Sequence, residues 1–550
     1  MVSGERDVAA GARGGPPGRV STGRRPNALA RLGLSGQRAE EILTALGWWK
    51  DDKPAPDAEN VMWALARSPD PDLALRATDR LAGADARQWK ECDAALRRDV
   101  VLRGRLFALL GGSTALGDHL VAHPDRWRRL GVDTPDPATG VEARTATLLA
   151  AVGADPAAPP AGAEGGGAAR LRDSEAVDAL RTAYRDEMLV LAASDLAAVS
   201  EPSLPVLPLD DVAAQLADLA TAALRAALAV ALAETESGAA TEPGGRLAVI
   251  AMGKTGGAEL NYVSDVDVVF VAEPADAATT RLASRMMRIA GEACFPVDAN
   301  LRPEGRQGAL VRSLDGHVAY YKRWAKTWEF QALLKARPVA GDRELGKAYA
   351  EAVAPLVWTA AGRPDFVADV QAMRRRVEEH VRPDHADREL KLGRGGLRDV
   401  EFAVQLLQLV HGRADPALRS PVAATSGATT GRTSPRRTGS CASWNTGCSC
   451  SACVGPTCCP RRTTPTPCAG SPALPSCVRT GATTPSVCCW RSGGATPGGC
   501  AACTRSCSTG RYSTRPPGCR QPGCRRRPRR SGSARWVGCR PRAPCTTSGR

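Results

Sequence analysis

The chain has 550 residues, a formal net charge of +15 and 19 cysteines, enough length for two or three domains with cores of their own. The charge and the thiols are concentrated at one end: residues 421–550 hold 20 arginines and 17 cysteines but no Lys, Asp or Glu, leaving 53 basic and 58 acidic residues before them, a net −5. Residues 1–420 thus read as a mildly acidic protein with only Cys92 and Cys294, which excludes a disulfide scaffold and suits a reducing cytoplasm.

Met1–Val20 lacks the apolar run of a signal peptide, and residues 1–26, rich in Gly, Arg and Pro, are expected to be disordered. Residues 27–240 read as an α-helical domain, with apolar residues spaced by three and four over Ala39–Leu46, Ala58–Ala66, Glu91–Leu110, Asp173–Val199 and Asp210–Glu236. Val152–Gly167 looks like an Ala/Pro/Gly linker. The most apolar stretch, Val212–Glu234, is interrupted by Asp218 and Arg225 and predicts a buried helix, with no membrane as partner. The pattern then changes over residues 241–340. Short apolar runs at Leu247–Met252, Val266–Val271 and Phe295–Leu301 predict three strands, with a helix over Ala277–Ala293. Helical spacing returns in His317–Lys335, Glu344–Thr359, Asp365–His380 and Leu397–His411, and residues 341–420 read as the start of a further helical domain. The reading is an α+β fold, with an α/β unit inserted between helical domains. Tyr320, Trp324 and Trp328 recur every fourth residue, which favours one packed helix face over nucleotide stacking.

Chemistry concentrates between Gly253 and Asp298. Gly253, Lys254, Gly256 and Gly257 follow a strand, where glycines let backbone amides approach phosphates and Lys254 adds charge. Ser264 precedes Asp265 and Asp267, which stand two apart on a strand and so share a face. Asp298 supplies a third carboxylate from a neighbouring strand. Three carboxylates beside a glycine-rich turn suit Mg²⁺, which keeps waters and shares phosphate oxygens in phosphoryl transfer. Arg302 stands close enough in sequence to contact phosphate or to form a structural ion pair. The six His form no motif.

Gly245–Pro274, the stretch Val297–Gly305 (Val-Asp-Ala-Asn-Leu-Arg-Pro-Glu-Gly) and Leu390–Gln408, with its Lys391-Leu392-Gly393-Arg394-Gly395-Gly396-Leu397-Arg398-Asp399-Val400-Glu401-Phe402, resemble the glutamine synthetase adenylyltransferase/adenylyl-removing family. Thr255 and Ala258 depart from the pattern expected of that family without removing a catalytic group. The resemblance implies a polymerase-beta-like nucleotidyltransferase domain over residues 241–340. Because a single copy follows a helical N-terminus, it implies the AMP-removing half: Mg²⁺-dependent phosphorolysis of adenylylated glutamine synthetase, releasing ADP. By the same resemblance Asp265 and Asp267 hold the metal and Asp298 orients the incoming phosphate, while Gly253, Lys254, Gly256, Gly257, Ser264 and Arg302 line the nucleotide. Arg398 and Glu401 are further candidates, on a turn that either caps its helix or closes over the nucleotide. Expected partners are adenylylated glutamine synthetase, ADP or ATP, phosphate and the PII signal protein, with no specific nucleic acid. The competing readings are a relative that uridylylates PII and a weakly active fragment that only binds its target.

Residues 421–550 read as a disordered tail. All but nine are Ala, Pro, Thr, Ser, Gly, Arg, Cys or Trp, residue types whose codons carry G or C in the middle. In a GC-rich gene, reading one base late moves the third codon base into the middle and produces this composition. Shifting Trp444–Cys453 back gives Leu-Glu-His-Arg-Leu-Gln-Leu-Gln-Arg-Leu, an amphipathic helix. A zinc module is the weaker reading: Cys448/Cys450 and Cys500/Cys503 have ligand-like spacing, but the segment lacks His and aliphatic core residues. Arg525–Arg530 binds phosphate only as any polycation does. Resequencing the gene around Ser420–Val422 is expected to reveal a missing base, and an intact frame there would refute the out-of-frame reading.

Overall fold

The computed structural model describes residues 28–35, 38–131, 140–236, 245–382, 384 and 388–420. The readings of residues 1–26 and of the out-of-frame tail therefore lie outside the described residues.

The N-terminal part is a run of short helices: α1 (Ala28–Arg31), α2 (Ala39–Ala45), α3 (Glu59–Ala66), α4 (Pro71–Ala84), α5 (Ala86–Leu96), α6 (Val100–Gly112) and α7 (Thr114–Ala122). A small hairpin of β1 (Trp49–Lys50) and β2 (Lys53–Pro54) follows α2. Capping residues set the boundaries. Asp70, Asp85, Asp99 and Ser113 each accept a backbone N–H of the helix they open, satisfying donors with no partner inside it. The helical run expected over Glu91–Leu110 is thereby split: α5 ends at Leu96 with Arg97 as its C-cap, and Asp99 caps the start of α6. α6 is buried almost all round, under the long α9 (Asp173–Ser200) that comes after α8 (Val141–Ala151). The crossing is close enough that a Cβ on Gly104 would lie 2.5 Å from Leu204 Cδ1 and 3.1 Å from the Ala197 carbonyl oxygen. Beside it, buried Arg103 donates to Glu201 at 2.9 Å and to the Leu96 carbonyl at 3.0 Å.

α10 (Leu209–Glu236) is the one helix among the described residues long and apolar enough by itself to cross a membrane, and 83% of its most apolar window is buried inside the protein. It lies against α8, α9 and the sheet. Val152–Gly167 is a docked segment instead of a free linker: Ala154 and Ala161 are buried in the same core, and Leu247 N–H donates to the Gly162 carbonyl at 2.7 Å.

The sheet is built from β3 (Arg246–Ala251), β4 (Val266–Glu273), β5 (Val297–Asp298), β6 (Val311–Arg312) and β7 (Arg337–Gly341). Its main order is β5-β4-β3-β7, with β6 also pairing β4. β3 runs antiparallel to β4, from Arg246↔Glu273 to Ala251↔Val268, while β5 and β6 run parallel to β4. Both central strands are apolar on both sides because both faces are covered. Leu247, Val249, Ala251, Val266, Val268 and Phe270 pack with α10 and α12 (Ala277–Ala293). Ala248, Ile250, Val269 and Val271 pack towards α13 (Leu314–Arg323), α14 (Thr327–Leu333), α15 (Arg343–Thr359), α16 (Phe366–Glu379) and α17 (Leu397–His411). The short α11 (Gly253–Gly256) joins β3 to the site.

Three further expectations change. The strand read over Phe295–Leu301 shrinks to Val297–Asp298, because Asp298 Oδ1 accepts Asn300 N–H at 2.6 Å and turns the chain. The helix read over His317–Lys335 breaks at Trp324, where Arg363 donates to the Ala325 carbonyl at 2.7 Å. Tyr320, Trp324 and Trp328 consequently do not form one packed face, and Trp324 is 68% exposed.

Two helix glycines, Gly104 inside α6 and Gly83 in the last turn of α4, separate crossing geometry from propensity. Gly104→Val is expected to lower stability by about 2–3 kcal/mol through overpacking at the α6–α9 crossing. Gly83→Ala, with nothing within 4 Å of its Cβ position, should raise stability by about 0.5 kcal/mol. Denaturant midpoints of the two variants check both signs.

Candidate active site

The site forms where β4 and β5 begin. The parallel ladder sets Asp267 directly beside Asp298, and neighbouring strands lie only about 4.8 Å apart. Asp265 stands two residues before Asp267, at the solvent edge. Burial, then the charges of Asp265 and Asp298, push the Asp267 carboxyl up to about 6, against the opposing pull of Lys391 and Arg398. Asp298 is held in place by Asn300, which donates its backbone N–H at 2.6 Å and its Nδ2 at 2.8 Å to the two carboxylate oxygens.

The glycine-rich turn is shaped around these carboxylates. Gly253 has φ +53°, and any Cβ there would collide with the Asp267 carboxylate. A Cβ on Gly256 would run into the Lys335 carbonyl oxygen. The Gly256 and Gly257 N–H groups donate to the Met252 and Gly253 carbonyls at 2.9 and 3.1 Å. Their contribution is thus close approach, and the cradling of phosphate expected of their amides is already spent on closing the turn. Arg337 on β7 grips the same turn through the Thr255 carbonyl at 2.7 Å and the Gly256 carbonyl at 3.1 Å. Lys254 donates to Asn261 Oδ1 at 2.7 Å, and burial, with Lys391 next, holds its pKa below the ordinary lysine value. Ser264 donates to the Asp265 carbonyl at 2.9 Å.

The Arg302 guanidinium donates to the carbonyls of Ala299, Arg306 and Gly308 at 2.8–3.1 Å, bracing its own loop. Among the described residues these carbonyls, and no carboxylate, are its partners, so the structural ion pair considered from the sequence is not formed. Conversely, four residues near the site carried no assigned role in the sequence reading. Lys335 donates to Glu259 at 2.7 Å, Arg337 clamps the turn, and Lys391 acts on both Asp267 and Lys254. Tyr262 donates to Asp195 of α9 at 2.7 Å, tying the loop before Asp265 to the N-terminal helices. Only Lys391 had a local signal, its place in a Gly-rich turn.

Among the described residues, no three His, Cys, Asp or Glu side chains converge into a ready metal cage. The donor chemistry nevertheless fits Mg²⁺ shared with a phosphate. Asp265, Asp267 and Asp298 are hard oxygen donors with unbalanced negative charge, and Mg²⁺ normally takes one or two carboxylates, with water and phosphate completing its shell.

Residues 166–352 match the family model described as glutamate-ammonia ligase adenylyltransferase, and residues 371–435 match that of GlnD PII-uridylyltransferase. Among curated proteins, the chain is 56% identical over 392 residues to the bifunctional glutamine synthetase adenylyltransferase/adenylyl-removing enzyme of Mycobacterium avium (strain 104), a match covering 71% of this chain and 37% of that protein. The like-named proteins of Nocardia farcinica and Mycobacterium leprae are 57% and 54% identical, over 71% and 72% of this chain and 38% of each relative. The chain thus spans under two fifths of the length of these relatives.

Asp267 offers a pH test without metal. Its folded pKa lies above the ordinary 3.8, so the folded state holds the extra proton between about pH 4 and 6, and stability falls as pH rises through that window. Asp267→Asn in chelator is expected to be more stable than wild type by ~1–2 kcal/mol at pH 7.5, a value discounted for partial exposure. Thermal unfolding should show the gap closing near pH 4, and a less stable variant at pH 7.5 would contradict the charge crowding.

Proposed function

We propose, for a chain whose residues 166–352 belong to the glutamate-ammonia ligase adenylyltransferase family, that it removes AMP from adenylylated glutamine synthetase by Mg²⁺-dependent phosphorolysis. The observation that carries this reading is the pairing of Asp267 with Asp298 across the β4–β5 ladder, with Asp265 at its mouth and Gly253 pressed against Asp267. Domain architecture supports it: on this reading a polymerase-beta-like unit over residues 241–340 stands between helical domains at 27–240 and 341–420. The cytoplasm is the compartment proposed, with ADP and phosphate as small-molecule partners and PII as a regulator.

In the reaction, an oxygen of inorganic phosphate attacks the adenylyl phosphorus. The bond from that phosphorus to the tyrosine oxygen breaks, the phosphate and AMP become ADP, and the proton lost by the phosphate ends on the tyrosine. Asp265 and Asp267 would hold Mg²⁺, which when bound offsets charge developing on the phosphoryl oxygens. Asp298, fixed by Asn300, orients the attacking phosphate. The glycine turn lets the nucleotide approach the carboxylates.

A second reading has one specific support, the match of residues 371–435 to the uridylyltransferase model: transfer of UMP to PII. Both are tested together. The chain with adenylylated glutamine synthetase, Mg²⁺ and phosphate is expected to release ADP, and Asp265→Ala should lower the rate by about 10²-fold or more. ADP release indifferent to Asp265→Ala would refute the site. UMP incorporation into PII from UTP, without ADP release, would favour the second reading, and neither product would favour a fragment that only binds.

A further inference from the structure

Asp265, Asp267 and Asp298 crowd negative charge where the proposed reaction must admit another anion. The cations nearest the glycine turn are already engaged: Lys254 donates to Asn261 at 2.7 Å and Lys335 to Glu259 at 2.7 Å. Compensation comes from the turn before α17. Strand alternation points Asp267 to the same sheet face as Val269 and Val271, and that face is covered by a core to which α17 contributes Leu409, Phe402 and Leu406. α17 also bonds α14 directly, Gln331 Nε2 to Gln405 Oε1 at 2.7 Å. The next residues after α14 lead to Lys335, whose carbonyl abuts Gly256.

The turn itself is built, not loose. Leu397 N–H donates to the Leu390 carbonyl at 2.9 Å and Arg398 N–H to the Lys391 carbonyl at 3.0 Å, so Lys391 and Arg398 leave the backbone as neighbours. Gly395 has φ +72°, and a Cβ on Gly396 would lie 2.5 Å from the Leu390 carbonyl oxygen. Arg374 of α16 fastens the outside, donating to the Leu392 and Gly393 carbonyls at 3.2 and 3.1 Å and pairing with Asp399. Arg398 makes one ion pair, with Glu401 at 3.0 Å, and exposed Lys391 has no side-chain partner among the described residues. Glu401 offsets the charge of Arg398, and the neighbouring Lys391 ammonium is the charge left to draw a further anion to the pair. Their turn leads into the helix that covers the sheet face to which Asp267 points, and both act electrostatically on Asp267 and on Lys254.

We infer that Lys391 and Arg398 form the subsite for the free inorganic phosphate, holding it opposite the aspartates for attack on the adenylyl phosphorus. The inference rests on the phosphorolytic reading. It assigns the α17 turn to the attacking anion, and the Gly253 turn to the nucleotide. The two cations stabilise a multiply charged nucleophile beside carboxylates that would otherwise repel it.

The test uses the full chain as wild type, Lys391→Ala, Lys391→Arg and Arg398→Gln. In ADP release, the KM for phosphate is expected to rise about tenfold or more in Lys391→Ala and Arg398→Gln. The KM for adenylylated glutamine synthetase should stay within about twofold, and Lys391→Arg should recover most of the loss. An unchanged phosphate KM overturns the inference, as does an equal rise in both constants, which would assign the cations to the adenylyl group. Calorimetric titration of inorganic phosphate into the chain with Mg²⁺ separates this from failure of the phosphorolytic reading. If wild type releases no ADP, phosphate binding weakened about tenfold or more by Lys391→Ala still upholds the subsite. Phosphate binding that is absent or indifferent to Lys391 overturns it.

Discussion

Two like charges forced together by a β-ladder are the constraint from which the site follows. Backbone pairing puts Asp267 beside Asp298 whether or not their carboxylates repel, and burial of the Asp267 side removes the water that would screen them. The fold sustains this because the ladder continues into β4, whose residues from Val268 to Ala272 are fully buried. Hydrophobic burial on both sheet faces outweighs a local electrostatic cost that a bound cation or protonation of Asp267 relieves. Such crowding is expensive to keep unless something is meant to bind there.

The surrounding residues divide by what they do to that charge. Gly253 and Gly256 remove bulk so that backbone can press close to it. Arg337 and Lys335 spend their own charge on the turn and on Glu259, giving stiffness to the turn and little field to the aspartates. Arg302 likewise stiffens the loop after Asp298. What remains to oppose the carboxylates comes from distant sequence, on the turn leading into α17. The site is thus assembled from two places about 130 residues apart in sequence, brought together by the packing of α14, α15 and α17 on the sheet.

Much of this was legible where the determinant was local. α12 appears over Ala277–Ala293 as read, since its apolar stripe is sharp and Asp276 and Thr279 form a reciprocal cap. β3 and β4 were visible as apolar runs, but β4 begins at Val266, so Asp267 lies on the strand while Asp265 stands one residue before it, where strand period no longer fixes its face. Other features depended on contacts no local pattern records. β7, interrupted by Pro338 and short, becomes a strand only by pairing with β3. The break at Trp324 needs Arg363, from beyond α15. Arg302 was ambiguous because proximity in sequence to a carboxylate does not say whether a guanidinium points outward or back at its own carbonyls. The pull of Lys391 on Asp267 depends on how α17 stacks on the sheet, which periodicity cannot report.

The hydrogen bond from Tyr262 to Asp195 is buried deeply enough that both groups are held in their un-ionised direction, each pKa raised chiefly by burial. Tyr262 also packs against both the helical core and the core beneath the sheet. The loop that delivers Asp265 is therefore a suspension bridge anchored on one bank by β4 and on the other by α9. Trimming the N-terminal helices to obtain a smaller catalyst would cut that second anchorage, so the helical half is part of the machine's chassis and cannot be treated as a detachable handle.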